Sequence, residues 1–333
     1  MPGLVVALLL LCSASALHAE FIVSYTDAAG VGFYDATYGA ARRDAFEWAA
    51  SQWNLWLGGT DPVPIRISAG WASLGAGILG GSNSAQYVWR DFPGAEVAHT
   101  WYGDSLADYL HGSDLGGGAW DMLLVFNTDF SSWNYDYTLA DGAFPGLYDF
   151  ASVSMHEICH GMGLWTSIGE DGAWGYGTPT YPTIYDRLLE YENGADLVAT
   201  NPAPDVTKNP GGGGEADNGI FWSGSQGTAA NDGARIAIYA PATWAEGSSL
   251  SHLDHTAHPD LLMNYSIGTN NERRQIDYLT SGMLRDLGWE GDSANVPEPC
   301  TLVLVFPGVA ALILRRRSGA IHRAQRAGRP RAR

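Results

Sequence analysis

The chain has 333 residues, 46% hydrophobic and 12% aromatic, which is enough to bury a sizeable core and too apolar for a disordered protein. Charged residues are only 16%, while Gly (42) and Trp (13) are abundant, so the surface is expected to be neutral-polar with glycine-rich loops. The net charge of −18 is unevenly placed: Glu20 to Val296 hold 35 acids against 10 bases, whereas Pro297 to Arg333 hold one acid, Glu298, and eight arginines. The acidic body excludes a nucleic-acid-binding domain.

An apolar run, Leu4 to Leu11, leads into small residues and Ala16-Leu17-His18-Ala19, the layout of a secretory signal peptide over 1–19. Phe21 to Thr26 predicts an opening strand, closed by a turn at Asp27-Ala28-Ala29-Gly30. Ala36 to Leu57 predicts a long helix, with Phe46, Ala49, Ala50, Trp53 and Leu57 at helical spacing and Gly58-Gly59 as its stop. There follow a predicted strand over Pro64–Ser68, a Gly/Ser-rich loop over 70–84, a short helix over Asp104–His111 and a loop from Gly112 to Gly118. Asp121–Asn127 (DMLLVFN) is the sharpest strand signal, and a loop rich in aromatics and Asp runs from it to about Gly146.

The next helix, Tyr148 to Gly161, carries His156-Glu157-Ile158-Cys159-His160, an HExxH pattern. With nine His and twelve Glu in the chain, chance produces such a match only about 0.01 times. At roughly 100° per residue the two histidines stand ~40° apart on one face. Ala151, Met155, Ile158 and Met162 fall near the opposite face, which can be buried. Two imidazoles one turn apart can bind one Zn²⁺. Glu157, offset by ~100°, can then reach a zinc-activated water as general base.

A catalytic zinc wants a third protein ligand and an open position. The pattern continues through Gly161-Met162-Gly163 to HExxHxxG, but three residues later stands Thr166, a poor ligand. Far downstream, Ser251-His252 precedes Leu261-Leu262-Met263-Asn264-Tyr265, with His252 and Met263 eleven residues apart. On these segments the chain resembles the leishmanolysin branch of the metzincins, which carry HExxHxxG, a long insertion, a Ser-His ligand and then a Met-turn. The resemblance implies His156, His160 and His252 as ligands, Glu157 as base and Met263 as the Met-turn beneath the metal. Departures are Leu253 where Trp is usual, no disulfide bracing and no cysteine-switch propeptide. His255 and His258 compete with His252 as third ligand. So does Glu190, which mimics the distant Glu of the gluzincins.

Cys159 reads as a small buried hydrophobe, and His99 and His111 have no partner at metal spacing. Trp165 and Trp174 follow the active helix and are candidates to line a cleft. The acidic stretches Asp104–Asp114 and Asp129–Asp141 offer oxygens that a structural Ca²⁺ takes, but neither has an EF-hand pattern, and solvated loop acids are the preferred reading.

Residues 166–183 are rich in Gly, Thr and Pro, and a short helix is predicted near Ile184–Glu192. A loop-rich insertion covers 200–235, a strand Arg235–Tyr239 and a closing helix Asp277–Leu287. Val296-Pro297-Glu298-Pro299, the apolar stretch Cys300–Leu314 and Arg315-Arg316-Arg317 together resemble a PEP-CTERM sorting signal of Gram-negative exported proteins. That likeness implies an exosortase-type processing enzyme and transient membrane anchoring. The expected fold is α+β, with a twisted mixed sheet of about four or five strands and two long helices packed on it. The resemblance makes it a metzincin-like zincin fold with a less regular C-terminal subdomain. The expected domains are a zinc metalloprotease over 20–292 (subdomains about 20–165 and 166–292), a sorting segment over 296–317 and a basic tail over 318–333. The implied activity is secreted, zinc-dependent endopeptidase action on a protein or peptide substrate. The alternatives are a non-enzymatic envelope or matrix protein with a structural zinc, and a zinc hydrolase of a non-peptide substrate.

Overall fold

Period-two burial builds the main sheet. In the strand Val63–Ala72, Val63, Ile65, Ile67 and Ala69 are buried while Pro64 and Arg66 are half-buried. Met122, Leu124 and Phe126 do the same in Met122–Asn127. These observations come from a computed structural model that describes residues 19–58, 63–83, 87–118, 120–198 and 219–291. Positions 1–18 of the predicted 1–19 leader, the 296–317 segment and the basic tail lie outside the described residues, as do positions 199–218 of the insertion. All described residues belong to one unit, Met1–Val296.

In chain order the elements are β1 (Ala19–Tyr25), α1 (Gly39–Leu57), β2 (Val63–Ala72), β3 (Gly80–Asn83), β4 (Val88–Trp89) and β5 (Tyr102–Gly103). Then come α2 (Asp104–His111), β6 (Met122–Asn127), β7 (Trp133–Asn134), β8 (Tyr148–Asp149) and α3 (Phe150–Gly161). The last are β9 (Leu189–Tyr191), β10 (Ile220–Trp222), α4 (Ser225–Ala230), β11 (Ile236–Ala237) and α5 (Tyr278–Leu287). The fold is α+β. Its main sheet has four strands in the order β1-β2-β6-β3, the first three parallel and β3 antiparallel to β6 at one edge. A second sheet, β11-β10-β9, is antiparallel.

Helix α1 buries Phe46, Ala49, Ala50, Trp53 and Leu57, the apolar stripe that the sequence predicts, and Ala45 and Trp56 beside it. It starts three residues later than expected, because Asp35 accepts hydrogen bonds from the Thr37 and Tyr38 amides and holds a turn there. The Trp53 indole donates to the Met155 carbonyl at 3.2 Å and so ties α1 to α3.

Asp149 caps α3, accepting from the Ser152 amide at 2.9 Å and the Ser152 hydroxyl at 2.6 Å. Arg274 pairs with the same carboxylate, linking the start of α3 to the C-terminal part of the chain. At the other end, a Cβ on Gly161 would stand 2.3 Å from the Met122 sulfur, so the helix rests closely on β6. Gly163 has φ +115°, a conformation that frees the chain to turn away from the helix. Met155, Ile158, Cys159 and Met162 lie in the core, each long apolar side chain contributing about 1.5–3 kcal/mol on burial.

Four expectations require correction. The 70–84 stretch is not all loop: β2 runs on to Ala72, and β3 pairs Gly80 with Phe126 and Gly81 with Val125. An edge strand made of Gly-Gly-Ser-Asn has no apolar alternation to announce it. The predicted helix at Ile184–Glu192 is a 3₁₀ turn, Asp186–Leu188, followed by β9, which pairing with β10 draws into a sheet. The described end of the 200–235 insertion holds β10 and α4, and Asp286 accepts from the Gln226 and Gly227 amides at the start of α4. Finally, the acids of 104–114 are not uniformly solvated: Asp104 and Asp108 are 1% and 0% exposed.

Candidate metal centre

The apolar stripe of α3 faces the core, which turns His156 and His160 toward a cleft of about 1050 Å³. His252 reaches the same cleft from a loop held on both sides. The Tyr239 amide donates to the His252 carbonyl at 2.8 Å, and the Leu253 amide donates to the Met263 carbonyl at 2.9 Å. Two residues earlier, Leu250 adopts φ +65°, an uncommon conformation for a bulky residue. It is fixed by the Tyr185 hydroxyl, which donates to its carbonyl at 2.7 Å. The Thr166 amide donates to the Ser251 hydroxyl at 3.2 Å. Thr166 therefore braces the loop of His252, while its own hydroxyl donates to Asp186 at 2.6 Å.

The three rings meet at their Nε2 atoms. His156–His160 is 3.0 Å, His156–His252 is 3.1 Å and His160–His252 is 3.1 Å. Each ring turns Nδ1 to a backbone carbonyl: His156 to Leu262 at 2.8 Å, His160 to Leu164 at 2.6 Å and His252 to Ser248 at 2.8 Å. These bonds place the proton on Nδ1 and leave three Nε2 lone pairs pointing at one another. Such an arrangement is repulsive on its own and suits a shared cation. A tetrahedral ion with nitrogen ligands at ~2.0–2.1 Å sets those nitrogens roughly 3.3 Å apart, close to the spacing seen. The residues therefore fit a metal. Among the described residues, these three histidines are the set of three or more His, Cys, Asp or Glu side chains whose ligand atoms converge.

Burial dominates the electrostatics. It lowers His156 to about 3, with a further push from His160; it lowers His160 to about 4 and His252 well below its ordinary value. Neutral imidazoles are the ligand form. Glu157, 6% exposed, lines the same cleft, and burial raises its carboxyl to about 8. It accepts no hydrogen bond from the described residues.

The competing ligands lie outside the converged trio. His255 packs its ring against Tyr239 and Tyr265. His258 is linked through its amide to the Asp254 carbonyl. Glu190 is paired with Arg235 at 2.7 Å. His99 stacks on Tyr181, and His111 bonds Ser113. Met263 is 1% exposed, directly after Leu262, whose carbonyl holds His156. Cys159 is fully buried and its thiol is pushed well up by burial. Trp165 lines the cleft; Trp174 packs on the core instead.

Sequence reasoning missed the three carbonyls that orient the histidines, because a backbone atom has no residue signature. It also missed Gly80 and Gly81 of β3, which form part of the cleft wall. The chain matches no known protein family and no curated protein.

Proposed function

We propose that the protein is an exported, zinc-dependent endopeptidase of metzincin-like build. The reading rests on one observation: three neutral imidazoles converge at Nε2 beside a buried, unbonded glutamate in an open cleft. His156, His160 and His252 would hold the ion. Zinc, when bound, supplies a Lewis acid that polarises a carbonyl and lowers the pKa of water toward ~7. Glu157 takes the proton from the attacking water and passes it to the leaving amine. The Leu262, Leu164 and Ser248 carbonyls keep the imidazoles in the required tautomer.

The cleft also bears on the substrate class. Edge strand β3 lies along it, and Gly80, Gly81 and Ser82 present little side-chain bulk. An extended peptide can pair with such an edge through main-chain hydrogen bonds. A structural zinc site, by contrast, is closed by four protein ligands, whereas three side chains meet here and face the cleft. The leader-like run and the resemblance of 296–317 to a PEP-CTERM signal support a place in the cell envelope or exterior of a Gram-negative bacterium, with an exosortase-type enzyme as processing partner. Among the described residues no helix is long and apolar enough to cross a membrane.

The test is zinc content and casein hydrolysis by the purified chain, before and after chelation. One zinc per chain is expected, with activity lost on chelation and restored by added zinc. Casein cleavage that persists in zinc-free protein overturns the reading.

A second expectation concerns Gly80. A Cβ there would stand 2.9 Å from Glu157 Oε1 and 3.1 Å from Cγ. The carboxylate must move to make room. Gly80→Ala is therefore expected to keep its zinc and lose roughly 10-fold or more in kcat/KM, since a ~1 Å misplacement costs up to ~10²-fold. Paired metal and peptide-cleavage measurements check it.

A further inference from the structure

We propose that Asp104 and Asp108 hold a calcium-type cation between α2 and the glycine-rich loop 112–118, separate from the histidine centre. The two residues stand one helical turn apart on α2, so their side chains share a face. One oxygen of each is used: Asp104 Oδ1 accepts from the Trp89 indole at 2.6 Å, and Asp108 Oδ1 accepts from the Leu115 amide at 2.8 Å. The other oxygen of each, Oδ2, is buried and has no hydrogen-bond partner. Buried carboxylate oxygens without a partner are costly, and two on one face require a common explanation.

The charge balance points the same way. Asp121, 1% exposed, and Asp114 both act on this pair to disfavour its ionisation. Burial is the larger cause and raises Asp104 to about 6 and Asp108 to about 7. The cation at hand, Arg66, is paired with Asp114 at 2.6 Å. The main chain also comes close: a Cβ on Gly116 would stand 3.5 Å from Asp104 Oδ1. Gly112 (φ +80°) and Gly117 (φ +58°) let this loop fold back over the helix.

The two free carboxylate oxygens are hard donors, and the remaining ligands would be oxygens of water or main chain. Calcium takes six to eight such ligands in flexible geometry, whereas magnesium demands a near-ideal octahedron and zinc favours nitrogen and sulfur. The ion would neutralise the carboxylates and fasten the loop to α2. The Ser105 hydroxyl of α2 donates to the Gly161 carbonyl at 2.6 Å, so the fastening extends to the end of the histidine-bearing helix.

The experiment titrates calcium into the full-length, zinc-loaded chain in calcium-free buffer. A saturable rise in Tm of roughly 5–10 °C is expected near 100 times Kd. Terbium is the second probe: its emission should be sensitised by Trp89, displaced by calcium and weakened in Trp89→Phe. The Asp104→Asn/Asp108→Asn variant should keep its zinc and lose the calcium response. Absence of both a calcium-dependent Tm shift and terbium emission in the unmutated chain overturns the proposal. So does a double variant that responds to calcium as the unmutated chain does.

Discussion

Replacing Glu157 by glutamine is expected to leave one zinc per chain and to slow casein hydrolysis ~10²–10⁴-fold, the usual contribution of a positioned general base. Gln has nearly the same shape, so the cleft, the Gly80 contact and the histidines should stay in place. What it loses is the ability to take a proton. Glu157 stands outside the converged trio, so metal content should not change. Burial favours the protonated carboxyl, and a cation among the imidazoles acts in the opposite direction, toward the carboxylate a base requires. Zinc analysis and turnover on the same preparation decide the matter. Unchanged turnover would sink the assignment, and lost zinc would show that Glu157 supports the metal instead.

The second large effect is expected at His252. His252→Ala should weaken zinc binding by more than ~100-fold, because loss of a residue that merely orients a ligand already costs ~10–100-fold. His255→Ala and His258→Ala should bind zinc as the unmutated chain does, their rings being placed outside the trio. Competition with a chelator of known affinity measures all three. The expectation is sharp because the protein pre-places the third imidazole through Ser248, Tyr239, Met263 and Thr166, so the ion finds its ligands ordered. Zinc affinity retained in His252→Ala would move the third ligand to another residue.

Much of the scaffold is legible in the sequence where a side-chain pattern coincides with a local stop signal. Asp104–His111 is an example: an apolar stripe ends at Gly112, which takes the left-handed conformation expected of a helix stop. Asp277 caps α5 as Asp149 caps α3, and both helices fall close to their predicted spans. Strand β3 is illegible because its pairing with β6 comes from the neighbour, not from its own glycines. Strand β9 is illegible for a related reason: Ile184 and Leu188 stand four apart, a helical spacing, and tertiary pairing of Leu189–Tyr191 with β10 overrides it. In the candidate centre, the spacing of His156 and His160 is a property of one helix and can be counted. Their meeting with His252 depends on how the loop after Tyr239 folds back, which no local pattern encodes. The burial of Asp104 and Asp108 is equally non-local, since it follows from the packing of a distant loop over α2.

Cys159 adds a practical consequence. Its sulfur sits on the core side of the helix that turns its imidazoles to the cleft, fully buried and with its ionisation suppressed. Thiol-directed poisons and mild oxidants therefore have no nucleophile to attack beside the histidines while the fold is closed. Alkylation at this position becomes a clock for opening of the core, readable by mass mapping of the modified peptide.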